Sequence, residues 1–217
     1  MKTILSTKKL SPSQKEHLLN AGLAVVDYDF IACQSIPFNI DKKYIENAIF
    51  TSQNGIKYTL QQNLKIKNSF CVGQRTKKML EQHQISVVEC GKNAQELSVQ
   101  ICNNHADKHF DYFCAKARLD TLPDALSKNQ ISMTEIPVYE TLFTSKEYPQ
   151  QFNGVLFYSP SGVESYFSKN QAPAHSFCIG NTTANSLKKY SNNYTIASTP
   201  SVENVLVKVI KHFKNHD

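Results

Sequence analysis

The stretch that decides the fold is Phe177-Cys-Ile-Gly-Asn-Thr-Thr-Ala-Asn-Ser-Leu187. Its apolar start predicts the end of a buried strand, Gly180 predicts a sharp turn, and Thr182 with Thr183 predicts the capped start of a helix. The free N–H groups at a helix start attract anions, so such a turn can hold a carboxylate or a phosphate. Every parallel α/β unit needs a similar turn, so the motif alone indicates architecture before it indicates function.

The same stretch occurs a second time in the chain. Phe70-Cys-Val-Gly-Gln-Arg-Thr-Lys-Lys-Met-Leu80 matches it, and Gly180 minus Gly73 is 107 positions. Upstream, Ala48-Ile-Phe-Thr-Ser-Gln-Asn-Gly-Ile56 matches Val155-Leu-Phe-Tyr-Ser-Pro-Ser-Gly-Val163, and Phe157 minus Phe50 is again 107. Two motifs at one gapless offset indicate an internal duplication.

The duplication and the length of 217 residues predict two lobes of roughly 100 residues each. Strand and helix patterns alternate along the chain, which predicts an α/β protein with parallel sheets covered on both faces. Because Ile4 to Leu10 matches Phe113 to Leu119 in position and role, we expect an outer lobe from residues 1–33 plus 144–217. A middle lobe then spans 37–137, and the connectors 30–38 and 136–143 run side by side between the lobes. Such a double connection predicts a hinge beside a ligand-binding cleft.

In the second copy of the repeat we expect a strand from Gly154 to Tyr158 and a turn over Ser159-Pro-Ser-Gly162. A helix is predicted from Val163 to Phe167. In the first copy, the helix after Gly73 is predicted from Thr76 to His83.

The composition excludes several classes of protein. No apolar run approaches the roughly 20 residues of a membrane span, and the N-terminus lacks a secretory apolar core. The six cysteines form no C-x-x-C pair, which favours free thiols in a reducing cytoplasm. The net charge of +6 indicates an acidic partner, but the lysines are scattered, so nucleic acid is not expected.

Metal and nucleotide signals are weak. His105 and His109 stand four apart around Asp107, but no third ligand is near, so a solvated helix face is the better interpretation. No two glycines are two or five positions apart, which excludes both the Gly-x-Gly-x-x-Gly and the P-loop signatures. We therefore expect a site without metal or cofactor, and activity that survives metal chelation and dialysis.

The predicted loops after the strands are rich in hydroxyl, amide and backbone N–H groups. In open parallel sheets, ligands lie beyond the carboxyl ends of the strands, where these loops meet. Their cations are Lys8, Arg75, Lys116 and Arg118. This chemistry predicts a site that holds several anionic groups.

Together the motifs resemble those of the uroporphyrinogen-III synthase family, in that family's order and spacing. The matching segments are Ile4-Leu-Ser-Thr7, Phe50-Thr-Ser-Gln-Asn-Gly55, Cys71-Val-Gly-x-x-Thr76, Val138-Tyr-Glu-Thr141, Phe157-Tyr-Ser-Pro-Ser-Gly162 and Cys178-Ile-Gly-Asn-Thr-Thr-Ala184. The resemblance implies two similar flavodoxin-like lobes joined by a two-stranded connector ladder. It also implies that the chain closes the linear tetrapyrrole hydroxymethylbilane into uroporphyrinogen III, inverting the last pyrrole ring through a spirocyclic intermediate without a cofactor.

The resemblance also assigns candidate site residues. Tyr139 matches the tyrosine of the family's Val-Tyr-x-Thr connector and is the candidate catalytic residue, assisting departure of the substrate hydroxyl. The candidate substrate-binding residues are Thr182, Thr183, Ser159, Ser161, Thr51, Ser52, Thr76, Lys8 and Arg118. Each hydroxyl residue has a second interpretation as a helix cap or turn residue, and Tyr139 has one as a residue that stacks between lobes.

A binding protein is the alternative from another functional class. A two-lobed cytoplasmic sensor for an anionic small molecule would share the hinge and the anion-binding loops without catalysis. In either case we expect a monomer whose partner is a small molecule, not a nucleic acid or a membrane.

Overall fold

The computed structural model describes residues 1–214, which form eleven β-strands and eight α-helices. The strands are β1 (Thr3–Ser6), β2 (Ala24–Asp27), β3 (Ile31–Ser35), β4 (Tyr44–Phe50), β5 (Lys65–Val72), β6 (Ser86–Gly91), β7 (Phe110–Ala115), β8 (Met133–Phe143), β9 (Gly154–Phe157), β10 (Ser176–Cys178) and β11 (Tyr194–Ile196). The helices are α1 (Pro12–Leu19), α2 (Gln53–Thr59), α3 (Gln74–Gln82), α4 (Ala94–Asn104), α5 (Thr121–Lys128), α6 (Pro160–Phe167), α7 (Asn181–Leu187) and α8 (Val202–Lys214). Within residues 1–214, no helix has the length and apolar character that crossing a membrane requires.

The chain divides into two compact units. The first combines Met1–Ala32 with the chain from Leu142 onward, and the second is Cys33–Thr141. Each unit contains one sheet. The division between the units falls within β3 and β8, so the first residues of β3 and the last residues of β8 belong to the first unit.

The first unit is built on a five-stranded sheet in the order β11-β10-β9-β1-β2, with every adjacent pair parallel. Successive strand residues point to opposite faces, so Ile4 packs in the core with α1 and α8, and Leu5 packs in the core with α6 and α7. Both faces are therefore covered, which explains why the strands read as continuous apolar runs.

The second unit is built on a six-stranded sheet in the order β3-β8-β7-β4-β5-β6. The pairs β4–β5, β4–β7, β5–β6 and β7–β8 are parallel. Phe50 and Phe113, from neighbouring strands, stack with ring centroids 5.5 Å apart in the core that α2 and α3 cover. The other face carries Ile49 and Phe70 against α4 and α5.

The two sheets share one strand order. The first unit reads β2-β1-β9-β10-β11, and five strands of the second unit read β8-β7-β4-β5-β6. The duplicated segments occupy equivalent strands, with Phe50 ending β4 and Phe157 ending β9. If the five strands of the first unit are numbered 1 to 5 along the chain, their order in the sheet is 2-1-3-4-5, the strand order of flavodoxin-like sheets. The prediction of an α/β protein with parallel sheets is confirmed.

Three local predictions were wrong. The helix of the second copy begins at Pro160 instead of Val163, because Ser159 caps it and proline fits the first helical turn. Gly180 has φ −173°, an extended conformation that any residue adopts, so no special glycine turn exists there. The N-cap of α7 is Gly180 itself, so Thr182 and Thr183 lie inside the helix and do not cap it.

The histidine pair also differs from the expected helix face. Helix α4 ends at Asn104, so His105 follows its last turn and His109 lies in the segment before β7. His105 Nε2 lies 3.2 Å from Glu89 Oε1, and its Nδ1 lies 2.9 Å from Lys108 Nζ. Within the described part of the chain, no group of three or more histidine, cysteine, aspartate or glutamate side chains is arranged to hold a metal ion.

Candidate functional site

The candidate site in the second unit begins where β4 ends. Ser52 has extended backbone angles and caps α2, because its Oγ accepts the Gly55 N–H at 3.2 Å. A side chain at position 55 would place its Cβ 2.9 Å from the carbonyl oxygen of Phe113 on β7. The close approach of α2 to β7 therefore requires glycine at position 55, and it fixes Ser52 at the carboxyl edge of the sheet.

Tyr139 projects from β8 to this same place. It is paired in register with Ala115, the last residue of β7, and its carbonyl accepts the Lys116 N–H at 2.8 Å. Its hydroxyl lies 2.9 Å from Ser52 Oγ. Its ring stacks on Tyr58 of α2, with centroids 5.7 Å apart, so the side chain is held in one orientation.

The environment of Tyr139 keeps its phenol protonated. The residue is only 8% exposed, and burial raises its pKa above the usual value near 10, an effect that the hydrogen bond to Ser52 partly offsets. A neutral phenol donates a hydrogen bond well, but it is a weak acid for full proton transfer at neutral pH. The geometry therefore suits hydrogen bonding to a departing oxygen.

A second hydroxyl pair joins the residue that follows β4 to the neighbouring strand β7. Thr51 Oγ1 is 2.9 Å from the hydroxyl of Tyr112 on β7. Burial raises the pKa of Tyr112 to about 12, with the Thr51 hydrogen bond acting in the opposite direction. The predicted binding hydroxyl of Thr51 is therefore already engaged by a buried tyrosine.

Thr76 and Arg118 complete the predicted residues of the second unit. Thr76 lies in the first turn of α3, and it is 5% exposed. Arg118 follows β7, and its guanidinium donates to both carboxylate oxygens of Glu135, at 2.5 and 2.7 Å, and to Asp120. Acidic side chains of the protein thus occupy three of the Arg118 donor positions.

In the first unit, the loop after β1 is fixed by acidic side chains. Asp29 Oδ1 accepts the Lys9 N–H at 2.8 Å, and Asp27 Oδ2 accepts the Leu10 N–H at 2.8 Å. Two backbone donors that could have cradled a substrate carboxylate are therefore used by the protein. The side chain of Lys8 is exposed, and the backbone carbonyl of Lys8 accepts a hydrogen bond from the Ser6 hydroxyl at 2.5 Å.

The remaining predicted residues follow β9 and β10. Ser159 caps α6 by accepting the Gly162 N–H at 3.0 Å, and Ser161 lies in the first turn of that helix. In α7, Thr182 is exposed, but Thr183 is 3% exposed and belongs to the interior. Since β10, β9 and β1 are parallel neighbours, all these residues and Lys8 lie along one edge of the first sheet.

Comparison with known proteins identifies the family of the chain. The family model described as uroporphyrinogen-III synthase HemD matches residues 15–206. The chain belongs to the uroporphyrinogen-III synthase family.

A curated relative and solved structures agree with this membership. The porphyrin biosynthesis protein HemD of Ruminiclostridium josui is 25% identical over 241 aligned positions, covering 94% of this chain and 47% of the relative. The chain therefore spans about half the length of that relative. The crystal structure of uroporphyrinogen-III synthetase from Helicobacter pylori 26695 matches with a TM-score of 0.73 at 19% identity, covering 98% of this chain and 100% of that one. A mutant uroporphyrinogen III synthase from Thermus thermophilus matches with a TM-score of 0.66 at 12% identity, and each chain is fully covered. These two likenesses show the fold that this chain shares with members of the family.

The structure adds residues that sequence reasoning missed. Tyr58 supports the ring of Tyr139, and its own hydroxyl donates to the carbonyl of Cys33 at 2.6 Å. The hydroxyl of Tyr112 is hydrogen bonded to Thr51, and the carboxylate of Asp27 accepts the backbone N–H of Leu10 in the loop after β1. No local spacing signals these contacts, because residues six positions apart, such as Ser52 and Tyr58, lie on different faces of a helix.

Proposed function

We propose that this chain catalyses the reaction for which its family is named, the closure of hydroxymethylbilane to uroporphyrinogen III with inversion of the last pyrrole ring. Family membership supports the reaction and the substrate class. The single observation in the structure that carries the proposal is the buried, protonated phenol of Tyr139, held by Ser52 and Tyr58 at the carboxyl edge of its sheet.

The first chemical step is loss of the terminal hydroxyl of the substrate. The C–O bond breaks and its electron pair leaves with the oxygen, while the pyrrole nitrogen stabilises the cationic azafulvene that forms. Tyr139 would donate a hydrogen bond to the departing oxygen. A donor aimed where charge develops lowers the barrier without having to lose its own proton.

The second requirement is control of the product. Hydroxymethylbilane closes without inversion when no enzyme directs it, so the protein must hold the chain in a geometry that favours the spirocyclic route. The acetate and propionate arms supply carboxylates for this purpose, and we propose that Lys8, Ser159, Ser161 and Thr182 bind them from the first unit. Thr183 is buried, so we propose that it contributes through its backbone N–H group. Thr76 is also buried, and its N–H donates to the Gly73 carbonyl at 3.1 Å, so we propose that it orders the first turn of α3 more than it binds the substrate.

Three of the predicted substrate-binding residues have a different role in this proposal. The side chains of Thr51 and Ser52 are engaged by tyrosine hydroxyls, and that of Arg118 is engaged by carboxylates. We propose that they shape the site more than they bind the substrate. The lobe boundaries and the connectors 30–38 and 136–143 stay predictions, as do the hinge and the cleft.

Analysis of the product isomers tests the proposal. Purified protein is supplied with freshly prepared hydroxymethylbilane, and the oxidised products are separated by chromatography. We expect mainly the inverted isomer, in excess over a reaction without protein. A mixture identical to spontaneous closure would refute catalysis and would favour the alternative of a non-catalytic sensor.

A further inference from the structure

The duplication gives the two units equivalent cap serines. Ser52 and Ser159 are 107 positions apart, and each begins a helix by accepting a glycine N–H. The Gly55 N–H donates to Ser52 Oγ at 3.2 Å, and the Gly162 N–H donates to Ser159 Oγ at 3.0 Å. Helix capping therefore explains the serine in both copies.

Capping does not explain the further contact of Ser52. Its Oγ is 2.9 Å from the hydroxyl of Tyr139, on β8. The equivalent strand of the first unit is β2, Ala24–Asp27, and the tyrosine that follows it, Tyr28, packs edge-on against Phe30 with ring centroids 5.3 Å apart. Within residues 1–214, no tyrosine hydroxyl hydrogen bonds to Ser159. The two copies thus differ at the point where the candidate catalytic phenol meets the cap.

The hydroxyl groups limit how this contact is arranged. A serine hydroxyl offers one donor and two acceptor positions, and the Gly55 N–H uses one acceptor position of Ser52. If Ser52 donates to Tyr139, the phenolic proton is left available for another acceptor. If Tyr139 donates to Ser52, that proton is consumed inside the protein.

The ring of Tyr139 has little freedom to choose another partner. It is buried, it stacks on Tyr58, and Tyr58 is anchored in turn by its hydrogen bond to the Cys33 carbonyl. The direction of the phenolic O–H bond is therefore the main variable left, and Ser52 is the neighbour that sets it.

We propose that Ser52 is a positioning residue whose hydroxyl donates to the phenolic oxygen of Tyr139, so that the Tyr139 proton is directed to the departing oxygen of the substrate. This inference rests on the proposed function, and it assigns Ser52 a role through Tyr139 instead of direct binding of a substrate carboxylate.

Ser52→Gly separates the hydroxyl from the cap. Glycine is itself among the favoured N-cap residues, so the helix should persist. Ser52→Thr restores a hydroxyl at an extended position, where a β-branched residue fits. The matched control is Asn93→Gly, because Asn93 has similar extended angles and caps α4 of the same unit by accepting the Glu96 N–H at 2.9 Å.

The decisive experiment is a double-mutant cycle with Tyr139→Phe, measured as kcat and KM for hydroxymethylbilane after subtraction of spontaneous closure. We expect Ser52→Gly to lower kcat about tenfold, with KM within about twofold of wild type, because a misdirected group loses rate more than binding. We expect Ser52→Thr to recover most of the rate, and Asn93→Gly to match wild type. In the Tyr139→Phe background, Ser52→Gly should cause no further loss, since residues that act as a unit are not additive.

Three results would overturn the inference: an additive loss in the Tyr139→Phe background, a rise in KM at unchanged kcat, or a Ser52→Gly enzyme equal to wild type. Each would assign Ser52 to substrate binding or to capping alone. Failure of the proposed function is distinguishable, because the wild-type protein would then give no excess of the inverted isomer, and the inference would fall with it.

Discussion

Gly73 and Gly180 occupy the same position of the repeated unit, 107 residues apart, but their backbones differ. Gly73 has φ +84° and ψ 146°, whereas Gly180 has φ −173° and ψ 177°. Both are N-cap residues that follow a strand, and a Cβ added to either would meet no atom within 4 Å. The two positions therefore differ in backbone strain and not in available space.

This pair gives a matched stability prediction. Gly73→Ala places a side chain in a region of φ and ψ that is nearly restricted to glycine, at a cost of about 1–3 kcal/mol. Gly180→Ala is unstrained, and the lower conformational entropy of its unfolded chain offsets the poorer cap, so a change within about 0.5 kcal/mol is expected. Equilibrium urea unfolding of the two variants measures the difference. Equal losses of stability would contradict the assigned backbone conformations.

These two glycines show what the sequence could predict and what it could not. The alternation of strands and helices followed from local apolar patterns, and the parallel sheets followed from that alternation. The repeat followed from two motifs that recur at one offset of 107 positions. Whether a glycine is strained depends on how the chain leaves the strand, which tertiary packing decides. The start of α6 is a different case, because serine followed by proline is a local signal for a helix start as well as for the predicted turn.

The pH dependence of stability provides a second prediction, centred on Asp27. Partial burial raises the pKa of this carboxyl, but the Leu10 N–H and the Lys15 ammonium outweigh that effect, so its pKa lies below the ordinary value. Lys15 Nζ is 2.9 Å from Asp27 Oδ2. A lowered pKa contributes stability above the unfolded-state value and loses it as the pH falls through the folded-state value.

We therefore expect the unfolding free energy of the wild-type protein to decrease between about pH 5 and about pH 3, in part through Asp27. Asp27→Asn retains an acceptor for the Leu10 N–H but cannot titrate. Its unfolding free energy should be lower at neutral pH and should decline less steeply toward acid. Parallel curves for the two proteins, from urea unfolding at each pH, would exclude this role of Asp27.

A third prediction compares two cations that the sequence placed together as substrate ligands. The guanidinium of Arg118 is occupied by Glu135 and Asp120, whereas the side chain of Lys8 is exposed. A partly exposed ion pair contributes about 0.2–1 kcal/mol, so Arg118→Ala should lower the unfolding free energy slightly. If an ion pair between Lys8 and a substrate carboxylate contributes a similar free energy, Lys8→Ala should raise the KM for hydroxymethylbilane about two- to fivefold. Arg118→Ala should change the KM by less than about twofold.

Steady-state kinetics of both alanine variants checks the comparison. A larger rise in KM for Arg118→Ala would mean that a substrate carboxylate displaces Glu135 or Asp120. The sequence could name both cations because their residue types and their positions after strands are local features. It could not reveal that Glu135, 17 residues later on β8, would engage Arg118, since that pairing arises only when β7 and β8 lie side by side.

Substitution of Tyr139 tests the chemical core of the proposal. Tyr139→Phe removes the hydroxyl but keeps the ring that stacks on Tyr58, and Ser52 remains bonded to the Gly55 N–H. A hydrogen bond to a group that gains charge is worth about 1.5–3 kcal/mol, so kcat should fall about 10- to 150-fold. The inverted isomer should still be the enzymatic product, because positioning of the substrate does not depend on the phenol.

The pH profile adds an independent check of the same residue. Because burial raises the pKa of Tyr139 above its usual value near 10, the phenol should keep its proton through neutral and moderately alkaline pH. Below about pH 9.5, we therefore expect kcat to depend on pH in the same way in the wild-type enzyme and in Tyr139→Phe. A Tyr139→Phe enzyme as fast as wild type would remove Tyr139 from the mechanism, and a product switched to the non-inverted isomer would show that its hydroxyl positions the substrate.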